Sequence, residues 1–200
     1  MTRHILHVLC FVSCCVTTLH AADPPVPRQK EWQRVTKAIE ERKPKTGRDV
    51  LRGIEQAAIT ERVWDEVARA IATRVLLENT DRPADDPQRL IDLDAATETA
   101  PVQTRGALQA IQANWTWTFF QMNRWRFAQR TTQVKSNADR NLSEISSWDL
   151  RQIVLEIHDQ FEKALSDDRG LKDLPVDDWA MLIEAGSMGK AYRPTLWDVV

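Results

Sequence analysis

Few residues of this 200-residue chain have the types and spacing that chemistry needs. General acid–base work favours histidine, whose proton comes off near neutral pH. Three of the four histidines (His4, His7 and His20) lie in the first twenty residues, which leaves His158 for the body of the chain. His158 falls between Ile157 and Phe161 on a helical pattern, where a helix-flank imidazole is the expected role. A thiolate nucleophile would need a cysteine, and Cys10, Cys14 and Cys15 all sit in that same opening stretch. Neither G-x-S-x-G nor H-E-x-x-H occurs, and six glycines form no phosphate-cradling loop. The doublets Asp85-Asp86, Asp167-Asp168 and Asp177-Asp178 carry enough charge for a hard cation such as calcium. They lack the EF-hand spacing, with its central glycine and closing glutamate. At loops and helix starts, aspartates cap free N–H groups and meet the positive end of the helix dipole. Nothing places two carboxylates in one apolar pocket, as a carboxylate enzyme would require. The expectation is a protein that is not an enzyme and holds no cofactor and no metal.

One constellation mixes cations with aromatics: Asn123-Arg124-Trp125-Arg126, followed by Arg130. In a basic protein this would suggest base stacking. Here 27 basic residues face 29 acidic ones, for a net charge of −2, and nucleic acid favours a clearly basic surface. The expected alternative is a buried or interface cluster, each guanidinium stacked on an indole or paired with a carboxylate. Eight tryptophans against one tyrosine support that direction, because indoles anchor helix packing and protein contacts. Asn114-Trp115-Thr116 and Asn141-Leu142-Ser143 match the N-glycosylation pattern, the first inside a helix expected to be buried.

The segments that must position these residues begin after a leader. Arg3 precedes the apolar run Ile5–Leu19, which is as long as a signal-peptide core and too short to span a bilayer comfortably. His20-Ala21-Ala22 ends in small residues. Residues 1–22 therefore read as a cleaved signal peptide, with an uncleaved anchor or a lipid attachment as the competing readings. Cleavage would remove every cysteine, and with them any disulfide. Residues 23–28 read as a proline-rich spacer, and residues 29–200 as one helical domain, incomplete at its C-terminus because Leu196–Val200 ends without a polar tail.

Helical periodicity dominates from Gln29 onward. Trp32, Val35 and Ile39 share one face of a first helix over Gln29–Lys43, which Pro44 ends. Thr46 and Asp49 suggest a capping box for a second helix carrying Leu51, Ile54, Ala57 and Ala58. Thr60 is the expected cap of a third, with a stripe of Trp64, Val67, Ala68, Ile71 and Val75. Asn79–Pro87 reads as a loop and Gln88–Thr99 as a fourth helix. A long helix over Val102–Arg130 carries Leu108, Ile111, Trp115, Phe119 and Met122 on one stripe, Trp117, Phe120 and Phe127 on a second, with Trp125 touching both. Apolar on two sides, it is expected to lie between other helices as the spine of the fold. Thr131–Asn141 reads as loop. Ser147 is the expected cap of a helix over Trp148–Leu165. Ser166–Asp178 reads as loop, and Trp179, Leu182 and Ile183 as a short helix ending near Gly186 or Gly189. The fold class expected is all-α: antiparallel helical hairpins stacked as an irregular bundle or a short α-solenoid.

Three phrases in order carry a resemblance. The first runs from Ala107-Leu108-Gln109 through the aromatic run to Asn123-Arg124-Trp125-Arg126 and Arg130-Thr131. The second is Ile145-Ser146-Ser147-Trp148-Asp149-Leu150. The third is Tyr192-Arg193-Pro194-Thr195-Leu196-Trp197-Asp198. Together they resemble the N-terminal helical region of very large secreted bacterial alpha-2-macroglobulin-like proteins. The likeness covers Ala107–Asp198; residues 28–100 fit it only in being helical. Trp197 stands where that family usually has tyrosine. The family's β-sandwich domains, protease bait region and thioester lie far downstream of such a region. The resemblance therefore implies a structural module of an exported protease trap in the periplasm or cell envelope, without the trapping activity itself. Its partners would be downstream domains of the same protein and a target protease, with no membrane span after processing. The alternative is a free-standing periplasmic scaffold for protein–protein interaction. On either reading the expected structural or interface residues are Trp115, Trp117, Phe119, Phe120, Arg124, Trp125, Arg126, Arg130, Trp148, Asp149, Arg193 and Trp197.

Overall fold

The computed structural model describes residues 28–83, 85–130, 141–166, 168–183 and 193–199. The leader, most of the spacer, residues 131–140 of the expected loop Thr131–Asn141 and the stretch around Gly186 and Gly189 lie outside them. The described residues are all-α: α1 (Gln29–Glu40), α2 (Pro44–Glu61), α3 (Trp64–Glu78), α4 (Gln88–Thr99), α5 (Arg105–Ala128), α6 (Leu150–Leu165) and the short α7 (Asp168–Lys172), with 3-10 turns at Val102–Thr104, Leu142–Ser147, Val176–Trp179 and Trp197–Val199.

Short turns make α1, α2 and α3 antiparallel neighbours. Pro44 both ends the first helical pattern and starts α2. Its fixed φ suits the first helical position, where its missing N–H costs nothing. That places the start of α2 two residues before Thr46, so Thr46 lies inside the helix rather than capping it. Thr60 likewise stays inside α2, its hydroxyl donating to the Gln56 carbonyl at 2.9 Å.

The ends of α1 and α2 are built alike. Ala38-Ile39-Glu40-Glu41-Arg42 and Ala58-Ile59-Thr60-Glu61-Arg62 repeat one phrase twenty residues apart. In each, two crossed hydrogen bonds close a Schellman motif. Lys43 N–H donates to the Ala38 carbonyl at 2.8 Å and Arg42 N–H to Ile39 at 3.0 Å. Val63 N–H donates to Ala58 at 2.9 Å and Arg62 N–H to Ile59 at 3.2 Å. The left-handed position, normally glycine, holds Arg42 (φ 52°) in one and Arg62 (φ 60°) in the other. A side chain costs about 1–2 kcal/mol there relative to the right-handed region.

Two apolar clusters hold the molecule together, and α3 serves both. Ala70 and Leu77 pack with Val35, Leu51 and Ile54 of α1 and α2. Val67, Ala68, Ile71 and Val75 face the larger core, with Leu108, Ile111 and Trp115 of α5 and Ile153 and Ile157 of α6. Gly47 lets α2 come close: a Cβ there would stand 2.7 Å from Leu77 Cδ1. The expected spine needs correction. The first half of α5 is buried on almost every side from Gly106 to Thr116. Its second half is not, because no helix covers the flank bearing Trp117 and Trp125 among the described residues.

Aspartate, not Ser147, caps α6. Ser147 ends the preceding 3-10 turn, and α6 starts at Leu150 after Asp149. Beyond α6, the region read as loop contains α7 and a 3-10 turn. The last described residues return as a strap: Thr195 pairs with Pro175 in an isolated antiparallel bridge, and Leu196 N–H donates to the Leu174 carbonyl at 2.9 Å.

Candidate functional site

The residues singled out in the sequence divide into anchors and surface. Trp115 is buried. Its indole N–H donates to the Leu182 carbonyl at 2.6 Å, and the Arg89 guanidinium lies 4.6 Å from its ring centroid. Phe119 and Phe127 are buried edge to face at 6.2 Å. Phe120 bridges outward, 6.1 Å from Phe127 and 5.7 Å from Trp117. This aromatic chain runs from the core to the surface across one end of α5.

Arg130 joins that end of α5 to the second motif phrase, donating to the Trp148 carbonyl at 2.7 Å. Trp148 is fully buried, and Asp149 behind it completes a capping box with Gln152. Arg126 pairs with Asp85 at 3.3 Å and donates to Asn123 Oδ1 at 3.1 Å. The third phrase closes the strap. Thr195 donates both its N–H and its hydroxyl to Asp198, holding that carboxyl below the usual carboxylate range. Leu196 is buried, and the Lys172 ammonium stands 4.4 Å from the Trp197 ring centroid. Arg193 is partly buried.

The expected stacking on an indole or pairing with a carboxylate is met at Arg126. Arg130 instead donates to a backbone carbonyl and lies 5.7 Å from the Phe127 ring centroid, and Arg124 meets neither among the described residues. Arg124 is exposed, with no ion pair among the described residues. Beside it Trp125 is 61% exposed, and Trp117 is 44% exposed two turns earlier on the same flank. Met122, 50% exposed, continues the apolar surface. Met122 is expected in the buried stripe, but no neighbour covers it among the described residues.

Chemistry is sparse elsewhere. His158 is exposed on α6, 3.8 Å from Asp159 and 3.7 Å from Glu162, a solvated group on one helical turn. It is the one set of three acids and imidazoles among the described residues with ligand atoms within 4.8 Å of one another. Asp86 accepts from Gln88 N–H at 2.9 Å just before α4, whose N-cap is Pro87, and that bond lowers its carboxyl from the usual value. Asp178 faces Arg69, and Asp167 lies outside the described residues. Asn114 is buried within α5, so a glycan could not be carried there; Asn141 spends its side chain accepting from Ser143 N–H at 2.9 Å.

A polar cleft of about 230 Å³ between α4, α5 and α6 was not foreseen. Asp94, Glu98 and Glu156 line it with Arg105 and Lys163. Partial desolvation, then repulsion by Glu98 and Glu156, raises the Asp94 carboxyl above its ordinary value against the pull of Lys163. Gln112 and Gln160 also line it. Their amide nitrogens donate to the Leu90 carbonyl and to Glu156, and their oxygens have no hydrogen-bond partner among the described residues.

A second unforeseen network ties the start of α1 to α3. Arg28, read as spacer, donates to Glu66 and, at 2.7 Å, to Glu61. Trp32 donates to the other Glu66 oxygen at 2.7 Å. Burial pushes the Arg28 guanidinium down, and the bonds and charges of the two glutamates outweigh it, leaving it above its ordinary value. Among the described residues no helix is long and apolar enough to cross a membrane.

Fold and surface together define an all-α helical protein with a half-open aromatic flank. No family model, curated protein or solved structure matches the chain significantly.

Proposed function

We propose that this chain is a non-catalytic helical docking module of an exported protein, and that it docks through the aromatic flank of α5. The observation that carries this is the exposure of Trp117 and Trp125 on one side of a helix whose first half is buried nearly all round. Exposed indoles with a neighbouring arginine are the residue types that dominate binding energy at protein interfaces. An unfilled flank next to a rigid core offers them pre-ordered, so little entropy is lost on contact.

The resemblance carried by the three ordered phrases supports a macroglobulin-like partner. On that reading the flank packs against a β-sandwich domain of a macroglobulin-like protease trap, and the trapping chemistry resides there. Buried Trp148, capping Asp149 and the Thr195–Asp198 clasp support the phrases as a framework for the flank rather than as a binding site of their own.

A photo-crosslinking amino acid placed at position 125 in the native host tests both levels. The expected product is a covalent adduct with a macroglobulin-like β-domain, lost when Trp117 is changed to Ala. Adducts with an unrelated protein keep the docking module and remove the macroglobulin assignment. The absence of any specific adduct removes the docking reading itself.

A further inference from the structure

A concavity of about 510 Å³ lies where the α1–α2 turn meets the end of α3 and the middle of α5. Its floor is apolar, made by Ile39, Leu76, Leu77, Leu90, Phe119 and Met122. Its rim carries four cations, Arg42, Lys43, Arg82 and Arg89, against the one carboxylate Asp86. The whole chain has a net charge of −2, so this positive charge is concentrated locally. Three of the cations have company: Arg82 pairs with Asp86 at 3.0 Å, Lys43 with Glu41 at 2.8 Å, and Arg89 lies over Trp115. Arg42 is exposed and makes no ion pair among the described residues. Its backbone is held in the left-handed conformation by the Schellman motif that ends α1, as that of Arg62 is at the end of α2.

We propose that this groove binds a single-chain carboxylate amphiphile, its tail on the apolar floor and its carboxylate at Arg42. A neutral apolar ligand would strip water from the cations and give nothing back. A small polar anion would leave the floor wet. An amphiphilic carboxylate answers both parts, and a guanidinium can grip its head with two parallel hydrogen bonds. The volume falls within the range of ordinary ligand pockets, about 300–1,000 Å³. Trp117 and Trp125 take no part, although Met122 is shared with the apolar surface of the docking flank.

Arg62 supplies a control, because it occupies the same backbone position at the end of α2 and does not line the groove. Calorimetric titration of the purified chain with decanoate, below its micelle concentration, should show saturable one-to-one binding. Decanol should bind more weakly and decylammonium not at all. Arg42→Gly should weaken decanoate about five-fold, the worth of one partly exposed ion pair. Arg62→Gly should leave the affinity unchanged. Both variants relieve the same backbone conformation, so neither should melt below the parent, and lost affinity is then not lost fold. Equal binding of decanoate and decylammonium overturns the proposal. So does an unchanged affinity in Arg42→Gly, or a groove that takes an acidic peptide and not decanoate.

Discussion

Asp149 accepts the Gln152 N–H at 2.9 Å while Gln152 Oε1 accepts the Asp149 N–H at 3.0 Å. Both groups are buried, so water cannot replace either bond. Asp149→Ala should therefore cost about 1–2 kcal/mol, with Asp149→Asn costing less because the acceptor survives. Urea denaturation reads the difference; equal losses in the two variants would show that the negative charge, not the cap, matters. Asp94 behaves in the opposite sense. Its carboxyl is raised by desolvation and by Glu98 and Glu156, so the folded protein holds that proton more tightly than the unfolded chain. A raised acid is destabilising when ionised: the penalty grows as pH climbs from the unfolded to the folded value and is complete above the folded value. Asp94→Asn should stabilise the protein at pH 7, and the gain should disappear toward about pH 3, where the unfolded carboxyl is also protonated. A gain of the same size at both pH values would assign it to packing.

At the scale of elements, what the sequence revealed depended on where each helix gets its boundary. Gln88–Thr99 is legible to the residue, because a proline-rich loop precedes it and Pro101 follows. The ends of α1 and α2 are not, since an arginine at a left-handed position gives no signal where glycine would. Thr46, Thr60 and Ser147 all look like caps, yet Pro44 and Asp149 outrank the first and third, and Thr60 spends its hydroxyl inside its own helix. Periodicity also gave the faces of α5 without saying which face a neighbour covers. That is a property of the other helices, so Trp115 and Trp125 read alike in sequence and differ in the fold. The difference is measurable. Trp148→Ala should cost about 3–5 kcal/mol through the cavity it leaves. Trp117→Ala and Trp125→Ala should each stay within about 1 kcal/mol of the parent, as exposed substitutions do. A large loss at Trp125 would mean that its indole is a structural prop, and the docking flank would lose its main support.

For the molecule as a whole, the question is whether α1 and α2 form a separate unit hinged on the rest. The polar cleft and the Arg28–Glu66 tie were invisible in sequence because both join residues far apart in the chain, and the tie bears directly on this. α3 carries Leu77 and Ala70 into the smaller cluster and Val67, Ile71 and Val75 into the larger one, from two neighbouring faces of one helix. Arg28, Trp32 and Glu66 add a part-buried polar clamp between the start of α1 and the start of α3. Melting the smaller cluster would strip one side of α3 and leave the clamp carboxylate without its cation, so separate unfolding would cost much of what global unfolding costs. Leu51→Ala in the smaller cluster and Ile153→Ala in the larger should both cost about 2–5 kcal/mol. Each should shift a single transition. Helicity by circular dichroism and tertiary packing by tryptophan fluorescence should then trace one curve in both variants. Two separated transitions in Leu51→Ala, with Ile153→Ala affecting only the later one, would show instead that α3 divides the protein rather than joining it.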